Sequence, residues 1–185
     1  MNGAALDALR RGDVIGLPTD TVYGLAADPQ NPEAVARLHS LKGEPQRGAI
    51  GLLVASVDQA AEIVALGVGA WALAAAHWPG ALTLIARAAR PLPEWIGDRG
   101  RTVGVRMPDS DVVLDLVSET GPLAVASAGR SGESPATSDE QARAIFGDSV
   151  ALYLPGTCPE GEVSTVLDVT GIRPVVLHQG RLVVD

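Results

Sequence analysis

The segment Thr19-Asp20-Thr21-Val22-Tyr23 places two hydroxyls, a carboxylate and a phenol directly behind an apolar run, Val14-Ile15-Gly16-Leu17. Pro18 between them cannot donate to a continuing ladder, so a strand is expected to stop there. Polar side chains gathered where a strand ends are how open α/β sheets build ligand sites, although Thr and Asp also serve in simple capped turns. Further along, Lys42 ends a helical pattern just before Gly43. Its ammonium could reach an anionic ligand, or could simply complement the helix dipole. Arg106 ends a strand inside the run Gly-Val-Arg-Met-Pro, Ser127 follows Leu123–Ala126, and Ser164 stands beside an element end. Cations and hydroxyls gathered at element ends suit the binding of an anionic ligand.

Elements must bring these residues together. Asn31-Pro32-Glu33 reads as a helix start, with Asn31 as cap and Pro32 in the first turn, and the helix runs to Lys42. Further helices are expected at 5–9, 57–66, 70–77, 111–119 and 139–145, the last with Ser138 as cap. Strands are expected at 14–17, 50–54, 82–86, 102–106, 123–126, 150–154, 163–169 and 174–177. Strands and helices alternate, so the fold class is α/β, with a twisted, mostly mixed open sheet flanked by helices. With 185 residues and 46% hydrophobic content, one domain spanning 1–185 with a real core is expected.

Composition excludes several functions. No run of 18 apolar residues appears, and Met1-Asn2-Gly3-Ala4 lacks a basic start, so a cytoplasmic protein without membrane association is expected. The net charge of −8 opposes tight nonspecific nucleic-acid binding. Arg87, Arg90, Arg99, Arg101, Arg106 and Arg130 nevertheless cluster in the central stretch, as a local basic face or a merely solvated surface. Neither a P-loop nor a GxGxxG motif is present. The single Cys158 has no neighbouring histidine to activate it, and His39 and His77 lack spaced second ligands. No metal site is expected.

Taken in order, Pro18–Leu25, Lys42, Pro79–Thr83, Gly104–Pro108, Ser127–Gly132 and Ser164–Asp168 resemble the Sua5/YciO/YrdC family across nearly the whole chain. The resemblance implies a short, single-domain form that makes threonylcarbamoyl-AMP from L-threonine, bicarbonate and ATP, the last as a Mg²⁺ complex, for tRNA modification. It implies Lys42 and Arg106 as catalytic cations and Thr21 and Ser164 as threonine contacts. Lys42, Arg106, Ser127, Thr137 and His178 would be nucleotide contacts. Three positions depart from the family pattern: Glu44 where an arginine would stand, Gly129 in place of an asparagine, and His178 in place of an arginine. Arg47 could compensate for Glu44, and a backbone nest at Gly129–Gly132, with Arg130, could replace the lost contacts. Downstream tRNA-modification transferases would be partners. The alternative is a paralogue without synthase activity, acting as a nucleotide- or double-stranded-RNA-binding module.

Overall fold

The computed structural model describes residues 2–43, 50–159 and 161–184. Glu44, Arg47 and the Gly48-Ala49 pair lie outside the described residues. In chain order the elements are α1 (Asn2–Arg10), β1 (Ile15–Leu17), β2 (Gly24–Ala27), α2 (Pro32–Lys42), β3 (Gly51–Leu53), α3 (Val57–Ile63) and β4 (Val64–Ala65). There follow α4 (Val68–His77), β5 (Leu82–Ala88), β6 (Thr102–Arg106), α5 (Asp111–Thr120), β7 (Leu123–Ser127) and α6 (Asp139–Phe146). The chain continues through β8 (Leu152–Tyr153), β9 (Thr165–Asp168) and β10 (Val175–His178).

Local chemistry sets the helix that leads to the site. The Asn31 side chain accepts from the backbone N–H groups of Glu33 and Ala34, and Pro32 supplies a preset φ at the helix start. Gly43 ends α2 at φ 69°, a conformation that costs residues with a Cβ. Val35 and Leu38 are fully buried, so the apolar stripe of α2 fixes its rotation and hence where Lys42 emerges.

All ten strands form one mixed sheet in the order β10-β9-β5-β6-β3-β7-β2-β1-β8, with β4 paired to β5. Leu52 stands opposite Val105 on one side and Ala124 on the other, in a row continued by Leu84 and Leu167. That row faces the larger core, which α2, α3, α4 and α6 cover with Val35, Leu38, Ile63, Ala74 and Phe146. Neighbouring positions along the strands point the other way. On that second face Ile15, Leu17, Ala26, Leu53 and Leu123 are covered by α1 and α5 through Ala5, Leu9, Val113 and Leu116. The helices cover only the β1, β2, β7 and β3 side. Across β5, β6 and β9 the second face is left open, and this asymmetry makes a cleft that reaches the ends of β2, β3 and β7 through Gly24, Gly51 and Ser127.

The principal differences from sequence-based expectation are β2 and β4. Gly24-Leu25-Ala26-Ala27 lacks the β-branched residues that announce a strand, but every residue is buried between β1 and β7 and finds its hydrogen bonds there. The helix expected to run to Leu66 ends at Ile63, and Val64–Ala65 instead pairs with Arg87–Ala88. Trp78 is buried, its indole N–H donating to the Leu82 carbonyl, whereas Trp95 sits at the rim and donates to the Pro29 carbonyl.

Candidate functional site

The open half of the second face is a cleft of about 1040 Å³. Alternation along the strands sorts side chains into it. On β5, Leu82, Leu84 and Ala86 are buried, while Thr83 and Ile85 line the cleft. On β6, Val103 and Val105 are buried, and Thr102, Gly104 and Arg106 line it. A Cβ on Gly104 would lie 3.2 Å from the Thr83 side chain, and one on Gly51 would lie 3.0 Å from the Gly104 carbonyl. The two glycines therefore keep the floor low where side chains would fill it.

Arg106 is the centre of the polar cluster. It is 8% exposed, and its Nη2 donates to the Asp20 carboxylate at 2.5 Å in an ion pair almost withdrawn from water. Nη1 donates to Thr21 Oγ1 at 2.7 Å and Nε to the Gly80 carbonyl at 3.0 Å. Of the five guanidinium N–H groups, two are left to meet a ligand. Burial pulls the guanidinium below its ordinary pKa, and the adjacent Asp20 charge opposes that pull. The cation persists because its partner is fixed: Asp20 also accepts from the Asp109 backbone N–H.

The hydroxyls of this loop are ordered by elimination. Thr19 Oγ1 donates to the Val22 carbonyl at 2.7 Å, so its one proton is used. Thr19 Oγ1 and Thr21 Oγ1 are 2.9 Å apart, and Thr21 must be the donor in that bond. Thr21 also accepts from Arg106, so its hydroxyl, fully buried at the edge of the cleft, holds the guanidinium in place. Across the cleft the Thr83 and Ser164 hydroxyls meet at 2.8 Å. His178 on β10 lines the same space.

Lys42 stands beside the cleft rather than in its lining. It is 9% exposed, and its Nζ donates to the Ser127 carbonyl at 3.1 Å, Ser127 Oγ at 3.0 Å and the Gly129 carbonyl at 2.7 Å. In return the Lys42 carbonyl accepts from the Ser131 backbone N–H. The side chain ties the end of α2 to the turn after β7, and it is Ser127 that lines the cleft. Two of the four N–H groups of the expected backbone nest at Gly129–Gly132 are used within the protein. The Gly129 N–H donates to the Ser127 carbonyl and the Ser131 N–H to Lys42. Arg130 lies with its guanidinium 5.9 Å from the Phe146 ring centre and does not line the cleft. Gly129 has a packing reason as well, since a Cβ there would lie 2.9 Å from Pro135 Cα and 3.1 Å from the Ser134 carbonyl. An asparagine at 129 therefore presses on backbone before it can offer an amide to a ligand.

The structure thus gathers Thr21, Arg106, Ser127, Ser164 and His178 on one cleft and joins Lys42 to it through Ser127. Thr137 is not brought there. Its hydroxyl donates to Gln141 Oε1 at 3.1 Å, and its carbonyl accepts from the Cys158 N–H at 2.7 Å. Sequence reasoning gave no role to Asp20, Thr83 or Thr19. Thr19 and Asp20 were marked only as members of the polar segment behind β1, and for Thr83 the signal was its alternation with buried Leu82 and Leu84. Cys158 is buried, and burial pushes its thiol pKa up, away from the reactive thiolate. Among the described residues no group of three or more His, Cys, Asp or Glu side chains could hold a metal ion, and no helix is long and apolar enough to cross a membrane.

Comparison with known proteins places this geometry. The sequence model of the Sua5/YciO/YrdC family, described as telomere recombination, matches residues 7–180. A Mycobacterium tuberculosis protein is 42% identical over 179 residues, 96% of this chain and 82% of its own length. The threonylcarbamoyl-AMP synthase of Halorhodospira halophila is 37% identical over 150 residues, covering 80% of this chain and 78% of that protein. Among solved structures, Pyrococcus abyssi Sua5 complexed with L-threonine superposes with a TM-score of 0.89 at 33% identity. That match covers 95% of this chain, which spans 53% of the Sua5 chain. The chain belongs to the Sua5/YciO/YrdC family.

Proposed function

We propose that the protein is a threonylcarbamoyl-AMP synthase. L-threonine and bicarbonate condense to the carbamate with loss of water. A carbamate oxygen then attacks the α-phosphorus of ATP, and the bond to the leaving pyrophosphate breaks. The product would serve as the activated carbamoyl donor for tRNA adenosine modification, handed on to transferase proteins.

The observation that carries this reading is the fixed, partly uncommitted guanidinium of Arg106 at one end of the cleft. Arg106, held by Asp20, Thr21 and the Gly80 carbonyl, has two unused N–H groups, a donor pair that matches the carboxylate of an amino acid. The P. abyssi relative bound to L-threonine supports the choice of amino acid. Thr83 and Ser164 supply hydroxyls for the substrate side chain or the carbamate. Ser127, held by Lys42, faces the nucleotide, and His178 borders the same space. Magnesium belongs to the nucleotide substrate. Most of the catalysis is positioning: the cleft aligns the carbamate with the α-phosphate and places fixed donors where charge develops.

Thermal denaturation tests the reading against the RNA-binding alternative. A synthase should be stabilised by ATP and further by L-threonine, with Tm rising with ligand concentration as mass action requires. A Tm unmoved by either ligand but raised by double-stranded RNA would contradict it.

A further inference from the structure

We propose that Arg99 is a further cation that engages the polyphosphate of the nucleotide, an inference that rests on the synthase reading. With Arg106 turned to the amino acid, Lys42, hydrogen-bonded to Ser127 and Gly129, is a single ammonium against the several charges of a polyphosphate, which leaves room for a further cation. Arg99 is the other arginine among the described residues that line the cleft. Its side chain is exposed, and no ion pair or hydrogen bond within the described residues holds it.

Its location fits. Leu52 on β3 stands opposite Val105 on β6 and Ala124 on β7. Three residues from that row toward the start of β3, the neighbouring strands carry Thr102 and Ser127, both lining the cleft. Arg99 precedes Thr102 by one short turn, so it stands at the same end as Ser127. The nearby carboxylates do not cancel it: Asp98 is taken by Arg101 at 2.9 Å, leaving Glu94 on that wall.

The backbone gives a second, independent observation. Arg99 has φ 52° and is the non-glycine residue with positive φ among the described residues. The loop around it is tightly bonded, with Gly100 N–H on the Ile96 carbonyl, Arg101 N–H on Asp98 and Asp98 N–H on Thr102. Gly97 and Gly100 flank it where a Cβ would meet backbone oxygens. Glycine would be easier at position 99 as well. An arginine kept in a strained conformation, on a rigid support, with its charge unspent and facing a cleft, is a side chain retained for contact with ligand.

Calorimetry on the full chain with MgATP, pyrophosphate, AMP and L-threonine tests this, using Arg99→Gly and Arg99→Lys. Arg99→Gly should weaken MgATP and pyrophosphate binding roughly tenfold or more and leave L-threonine binding unchanged. AMP affinity should change by much less. Its Tm should be unchanged or higher, because glycine relieves the positive φ, and Arg99→Lys should recover part of the affinity. MgATP and pyrophosphate binding as tight as wild type would overturn the inference while leaving the synthase reading standing. So would a loss of all four ligands together with a lower Tm, the mark of a structural role. A wild-type protein that binds neither MgATP nor pyrophosphate would overturn both.

Discussion

Arg106→Leu is expected to abolish threonine-dependent pyrophosphate release and to cost substantial stability, and the two effects should separate. The ion pair with Asp20 is about one-tenth exposed on each side, so removing the cation strands a buried carboxylate. Leaving one partner of such a pair costs about 3–5 kcal/mol, which at this chain length lowers Tm by roughly 6–20 °C. Adding Asp20→Asn removes the stranded charge, and the double variant should regain much of that Tm. It should regain no turnover, because the two N–H groups offered to the amino acid are still missing. A double variant that recovers both would show that Arg106 acts through folding alone.

The second large effect concerns Gly97. It has φ 58°, and a Cβ there would lie 2.0 Å from the Thr102 carbonyl oxygen, a backbone atom that cannot swing away. Gly97→Ala therefore combines a disfavoured backbone conformation with a clash that the loop must move to relieve. A destabilisation of about 3 kcal/mol or more is expected, roughly 6–12 °C in Tm. Because this loop carries Arg99 and leads into Thr102, nucleotide affinity should fall with it, while Thr21 and Arg106 still bind L-threonine. Wild-type Tm in a Gly97→Ala chain would mean that the loop is not held as tightly as its hydrogen bonds indicate.

Much of the fold was legible because local chemistry and burial agree. Asn31, Pro32 and Gly43 mark both ends of α2 in the sequence, and packing through Val35 and Leu38 endorses those marks. β2 was illegible for the opposite reason. Gly-Leu-Ala-Ala has no strand preference of its own and becomes a strand only because β1 and β7 supply partners on both sides. The site divides in the same way. That Thr21, Arg106, Ser127 and Ser164 stand at element ends can be read from spacing, and these residues do share one cleft. What each side chain does there depends on contacts between distant segments. Asp20 reaches Arg106 across 86 residues and Lys42 reaches Gly129 across 87. No periodicity records such pairings. Lys42 could therefore be placed at a helix end from the sequence, while its hydrogen bonds to Ser127 and Gly129 could not be read there.

The central claim is that this cleft couples an amino acid to a nucleotide. Pyrophosphate release by the purified wild-type chain in the presence of MgATP, bicarbonate and L-threonine tests it most directly. The account predicts release that requires all three, accompanied by threonylcarbamoyl-AMP in the same amount. Folded protein that releases no pyrophosphate above background at millimolar substrates, or releases it equally without threonine, would contradict it.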